Sequence, residues 1–134
     1  MTYFEDVGAF MRKFGLPTWE DSTPHVLSPE EFMFRYRLIM EEAHEFGDAW
    51  ARGDLPDSVD ALCDLIWVTI GAAHVMGLNL PKHWEEVARA NMEKIRANGA
   101  DDPLGKRGSA LDVVKPPGWT PPDHVPILQR SQHR

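Results

Sequence analysis

The chain has 134 residues, 43% hydrophobic side chains and five tryptophans, which suits one folded domain with a modest core and excludes a disordered chain. A net charge of −7 and a pI near 5.3 exclude a nucleic-acid-coating surface, which needs clustered Lys and Arg. The single cysteine, Cys63, excludes an intrachain disulfide, and the longest near-apolar run, 65–77, is far shorter than the roughly 20 residues of a membrane span; no signal peptide, membrane contact or nucleic-acid partner is expected, and a reducing, cytoplasmic location is.

The first helix is expected over residues 2–14, where Phe4, Val7, Phe10, Met11 and Phe14 recur at helical spacing before Gly15 and Pro17. The second opens with Ser28 as N-cap, Pro29 in the first helical position and Glu31 three residues after the cap. It should run to about Arg52, with Gly53 as its stop, a length of roughly 36 Å at 1.5 Å per residue. The third spans 56–75 before Gly77, with Cys63 a small buried side chain; the fourth opens at Pro81 and runs to Ala97 before Asn98-Gly99. Short connections make these helices antiparallel neighbours. Strand-like alternation is absent before residue 108, and 110–114 can form one short strand. Six of the eleven prolines follow Gly99, so 99–134 reads either as a disordered tail or as an arm anchored by Val113, Val114, Trp119, Val125, Ile127 and Leu128. The expected fold is all-α: an antiparallel bundle of four main helices over 1–98, with an extended Pro-rich C-terminal arm over 99–134.

Charge is distributed unevenly. Glu41, Glu42, Glu45, Asp48, Asp54, Asp57, Asp60 and Asp64 share their stretch with one Lys or Arg, Arg52, so this stretch alone carries the −7 of the whole chain. Glu42 and Glu45, three apart, project from one helical face, with Glu41 beside them; Asp57, Asp60 and Asp64 share a face of the next helix. Asp64 precedes Leu65, Ile66, Trp67 and Val68, and an isolated carboxylate among apolar neighbours is expensive. Two helices joined by a short turn bring Glu42 and Glu45 opposite Asp60 and Asp64. Oxygen-only ligands select Mg2+ or Mn2+ over Zn2+. Asp48, Asp54 and Asp57 read as solvated surface acids, with Arg37–Glu41 and Arg52–Asp48 as ordinary helical pairs. Lys94 beside Asn91, with Lys106, Arg107 and Lys115 farther on, supplies cations for a polyphosphate.

Other motifs fail. The GKRGS run lacks the spacing, the Ser/Thr and the preceding strand of a phosphate loop. HEFGD at His44 lacks the second His of a zinc-protease helix, and Glu41-x-x-His44 is a lone copy of a unit that di-iron bundles carry twice. His44, His74 and His83 read as packing or surface residues.

EEAHE followed by DALCD, with 14 residues between Glu45 and Asp60, resembles the all-α nucleoside triphosphate pyrophosphohydrolases of the MazG type, relatives of phosphoribosyl-ATP pyrophosphohydrolase and dimeric dUTPase. The likeness is strongest to their phage-type branch. It rests on Arg37-Leu38-Ile39 before Glu41-Glu42, on the run from Asp60 to Gly71, on Asn91-Met92-Glu93-Lys94 and on Lys115-Pro116-Pro117-Gly118-Trp119-Thr120-Pro121-Pro122, and covers about residues 28–123. The resemblance implies two or three Mg2+ or Mn2+ ions on Glu42, Glu45 and Asp64, phosphate contacts from Asn91, Lys94 and Lys115, and hydrolysis of a (d)NTP to (d)NMP and diphosphate. In that scheme Glu45 or Glu41 orients the attacking water and Lys94 stabilises the leaving group; dGTP or GTP is the expected substrate, in a nucleotide-pool role, in the host cytoplasm if the chain is phage-encoded. Two departures stand out. The family acid at position 61 is Ala61, with Asp60 about 100° away around the helix as its stand-in ligand. A Gly-Lys before the tail motif is here Leu111-Asp112.

Phe10, Phe14, Trp19 and Trp67 are candidates to enclose the base as well as to fill the core. Apolar residues on several sides of the second and third helices (Phe32, Phe34, Leu38, Met40, Leu62, Ile66) exceed what four helices cover, and together with the resemblance they imply a homodimer or a homotetramer. Two other readings compete: a non-catalytic helical interaction module whose acids bind a basic partner, and a carboxylate-bridged di-iron bundle.

Overall fold

The computed structural model describes residues 1–130, which are mostly helical. α1 (Tyr3–Lys13) starts from a reciprocal cap: the Thr2 hydroxyl accepts the Glu5 N–H, and the Glu5 carboxylate accepts the Thr2 N–H. α2 (Pro29–Ala51) starts as its sequence demands, with Ser28 accepting the Glu31 N–H and Pro29 in the first turn. It ends at Arg52, and Gly53 then takes a φ of 65°. α3 (Leu55–Val75) follows directly, its first turn capped by Asp54, which accepts the Asp57 N–H at 3.0 Å. α4 (Leu80–Met92), two short strands, β1 (Ile95–Arg96) and β2 (Val113–Val114), and α5 (Val125–Arg130) complete the order.

Several expectations give way. α4 stops at Met92 instead of Ala97, because Ile95 and Arg96 leave the helix to pair antiparallel with Val114 and Val113. A strand therefore exists before residue 108. Cys63 is exposed, not buried: α3 turns Ala61 and Ile70 inward, and position 63 lies about 200° around the helix from Ala61. Arg52 pairs with Asp57 across the α2–α3 turn at 2.9 Å, not with Asp48, because its place as C-cap aims the side chain at the start of α3. α3 is also long and apolar enough by composition to cross a membrane. It carries Asp57, Asp60 and Asp64 and packs against α1 and α2.

Residues 1–80 and 81–129 form two compact units. The core of the first is Val7, Met11, Ile70 and Val75, with Phe4, Leu27 and Leu80 packed against it. His74 fastens this core. It is almost fully buried, stacks on Phe4 at 4.1 Å, donates through Nε2 to the Phe4 carbonyl and accepts the Trp19 N–H at Nδ1. Burial holds its pKa below the usual imidazole range, which suits a neutral ring with both nitrogens engaged. The α2–α3 hairpin sits beside this core, and α2 contributes a single fully buried residue, Ala49.

In the second unit the Pro-rich segment lies along α4. Arg89 donates to the carbonyls of Thr120 and Pro121, Glu86 accepts the Asp123 N–H, and His83 contacts His124 at 2.9 Å. The Trp119 indole N–H donates to the Ala90 carbonyl at 2.6 Å.

Candidate functional site

The antiparallel hairpin of α2 and α3 brings three of the expected ligands together. One carboxylate oxygen from each of Glu42, Glu45 and Asp64 lies within 4.8 Å of the others. Glu42 and Glu45 reach the spot from neighbouring turns of α2, and Asp64 from the facing side of α3. None of the three takes part in an ion pair with Lys or Arg among the described residues. Glu42 Oε2 is buried and has no hydrogen-bond partner.

The electrostatics follow from that crowding. The Glu42 carboxyl is pushed up to about 7, first by burial, then by the hydrogen bond with Glu45, and then by the charges of Glu45, Asp64 and Glu41. Asp64 is pushed up by burial, Asp60 and Glu45. Like charges and partial desolvation both oppose ionisation, and an external cation relieves both. Asp60 and Glu41 do not join the converging trio, although their charges reach it. Ala61, three residues before Asp64, is buried on α3 and supplies no carboxylate. His44 is exposed and outside the trio, which leaves a di-iron arrangement without its nitrogen ligand.

The outlying acids behave differently. Asp57 takes Arg52, and Asp54 caps α3. Asp48 is exposed and has no ion-pair partner among the described residues.

Asn91, Lys94 and Lys115 belong to the second unit. Lys94 follows the end of α4, its N–H donating to the Asn91 carbonyl at 3.1 Å. The ammonium groups of Lys94 and Lys115 stand 5.6 and 5.0 Å from the centre of the Trp119 ring, and neither has a carboxylate partner among the described residues. Trp119 was expected as an apolar anchor of the arm; its place beside both lysines is what sequence reasoning did not foresee. Its signal was legible: Pro117-Gly118 occupies the centre of a turn closed by the Trp119 N–H to the Pro116 carbonyl, with Gly118 at φ 83°, the pattern of a type II turn. That turn sets the indole against α4.

Asp112, standing where a lysine was expected from the resemblance, is nearly buried and bound by Arg107 at 2.6 Å and by the Val113 N–H. Burial pushes its pKa up, but these bonds outweigh it and hold the carboxyl below its usual value. Arg107 is thereby occupied in fastening the turn before β2. Of the aromatic candidates, Trp67 meets Phe10 edge-on at 5.3 Å, Phe10 lies 4.9 Å from Phe14, and Trp19 packs near Phe4 at 6.3 Å. Trp67 and Phe14 keep substantial exposed surface, whereas Trp19 is half-buried beside His74.

Comparison with known proteins gives the family. The profile of the phosphoribosyl-ATP pyrophosphohydrolase family matches residues 7–91, which take in the last seven residues of α1, the acid trio and nearly all of α4. An uncharacterized protein, L479, of Acanthamoeba polyphaga mimivirus is 33% identical over 81 residues, 59% of this chain and 32% of that protein. The matching region thus spans about a third of the length of that viral relative.

Proposed function

The chain belongs to the phosphoribosyl-ATP pyrophosphohydrolase family, of the MazG-like kind, and from that premise we propose that it is a metal-dependent nucleotide pyrophosphohydrolase that cleaves a (d)NTP to (d)NMP and diphosphate. The observation that carries the proposal is the convergence of Glu42, Glu45 and Asp64 with no protein cation among them and one buried oxygen left without a partner. An all-oxygen, strongly anionic donor set fits hard divalent ions and fits poorly to zinc or a haem-like group.

Glu42, Glu45 and Asp64 would hold Mg2+ or Mn2+, with Asp60 close enough to strengthen the field. Bound there, two or three such ions would neutralise the acids and stabilise charge developing on the phosphate oxygens. The protein's own groups supply the rest. Glu45, the most exposed of the trio, orients the attacking water and accepts its proton on a carboxylate oxygen, with Glu41 next to it as the other candidate base. Asn91, Lys94 and Lys115 are proposed phosphate contacts on the family resemblance alone. Trp67 and Trp19 are candidate walls for the base.

The same reading includes self-association. Phe32, Met33, Trp50, Leu55 and Val59, on the hairpin that carries the trio, are each about half exposed or more. Apolar surface of that extent on two long helices suits a second copy of the chain, as a homodimer or a homotetramer. Light scattering on the purified protein tests this, and a monomer at micromolar concentration would reject it.

The test of function is a panel of NTPs, dNTPs and phosphoribosyl-ATP with Mg2+ or Mn2+, with product identification. Release of diphosphate and a monophosphate that stops with EDTA supports the proposal. Orthophosphate release, or no turnover of any member, rejects it.

A further inference from the structure

The α2–α3 hairpin has a second polar feature on the same seam as the acid trio. Arg35 lies seven residues before Glu42 on α2, and Gly71 lies seven residues after Asp64 on α3. Seven residues is close to two turns, so both steps stay on one helical face and advance roughly 10 Å along the seam. The antiparallel register that sets Glu42 beside Asp64 therefore sets Arg35 beside Gly71. The coordinates agree: a Cβ added at Gly71 would stand 3.0 Å from Arg35 Nη1. Glycine at 71 is what gives the guanidinium room to lie against α3.

Arg35 is half-buried, and burial pulls its pKa down while Glu31 pushes it up. Glu31 itself is committed to the α2 cap, where its Oε1 accepts the Ser28 hydroxyl. No carboxylate lies within ion-pair distance of Arg35 among the described residues. Phe34 flanks the group, with Cζ 5.3 Å from its ring centre. The result is a partly desolvated fork of donors, beside an aromatic ring, with no carboxylate partner among the described residues. Such half-buried donors are free to pair with acceptors that a ligand brings.

We propose that Arg35 reads the base of the nucleotide held at the acid trio and selects a purine with a 6-keto group, guanine or hypoxanthine, over one with a 6-amino group. The proposal rests on the trio being the phosphate site, as argued above. A guanidinium carries only donors. Guanine offers two adjacent acceptors, N7 and O6, whereas adenine sets a donor, N6, beside its N7 acceptor. Position along the seam decides against the phosphate chain as its partner. Phosphates stay gathered round the cations at the trio, and only the sugar and base extend two helical turns away.

Steady-state kinetics on dGTP, dITP and dATP test this in the wild type, Arg35→Ala, Arg35→Lys and Gly71→Ala. The wild type should favour dGTP and dITP. Arg35→Ala should lower kcat/KM for dGTP about tenfold or more, through KM, while dATP changes less than about threefold. Gly71→Ala, which displaces the guanidinium without removing it, should move the ratio in the same direction. Lysine should fail to restore the ratio, because a single ammonium lacks the paired fork. A wild type that prefers dATP, or equal losses on all three substrates, would overturn the proposal. If the wild type turns over no triphosphate, the enzymatic reading fails separately, and calorimetric titration with GMP and AMP then decides: guanine-selective binding lost in Arg35→Ala sustains the role of Arg35, and binding without base selectivity ends it.

Discussion

Carboxylates in the two units of this protein meet opposite fates. In the second unit, Glu86 and Asp112 each take an arginine, at 2.9 and 2.6 Å, and both are held below the usual carboxylate pKa. In the first, Glu42, Glu45 and Asp64 are gathered with no arginine or lysine, and Glu42 and Asp64 are held above it. Each acid of the second unit has a protein cation: Glu86, paired with Arg89, also accepts the Asp123 N–H and so ties the arm to α4, and Asp112, paired with Arg107, fastens the turn before β2. The seam acids have no protein cation among the described residues, and the proposed function gives them one from solution. Charge that a protein neutralises for itself is structural; charge that it concentrates and leaves open is available for binding.

The comparison breaks most visibly at Asp64. Asp64→Asn should reduce turnover by more than about 100-fold, beyond the range typical of residues that only support a metal ligand, while far-ultraviolet circular dichroism stays unchanged. Loss of the helical signal would assign Asp64 to the fold instead. The next largest effect concerns metal and heat. With Mg2+ or Mn2+ at about 100 times its dissociation constant, stabilisation of about 2.7 kcal/mol is expected, several degrees in Tm, and this shift should vanish in Glu42→Gln. A melt that is the same in EDTA and in millimolar metal would contradict the account.

A third test uses pH in the metal-free protein. Glu42 is raised in the folded state, from 4.5 to about 7, so its contribution to stability is fully present below pH 4.5 and is lost as pH rises to about 7. Asp112 is lowered from 3.8, so its contribution is present above that value and is lost as pH falls through its folded pKa. Chemical denaturation in EDTA should show the first decline in the wild type and lose it in Glu42→Gln, while Asp112→Asn should alter only the acid limb. The smallest effect belongs to the surface: Arg52→Ala, which removes an exposed pair with Asp57, should change stability by about 0.5 kcal/mol or less and leave turnover intact.

Local signals made much of this architecture readable in advance. The Ser28-Pro29 start and Gly53 stop of α2, and the all-α class, follow from caps and periodicity that act within a few residues. The acid trio was legible because helical spacing plus a short turn fixes which positions face each other. What sequence reading missed depends on distant partners. Glu93 to Ala97 has ordinary helical composition, yet Ile95 and Arg96 pair with Val113 and Val114, and no local feature announces that strand partner. Cys63 sits in a run that is apolar on several sides, so periodicity alone does not say which side is covered. Arg35 was overlooked because a lone arginine on a helix has no pattern; the register of Glu42 with Asp64 gives it one.

The account turns on the open carboxylates. Crystals grown with Mn2+ and a non-hydrolysable nucleoside triphosphate, with diffraction collected at the manganese edge, examine them directly. An anomalous peak within coordinating distance of Glu42, Glu45 and Asp64, next to the phosphate chain, is the predicted result. A bound nucleotide whose phosphates lie elsewhere, with no manganese at these three residues, would contradict it.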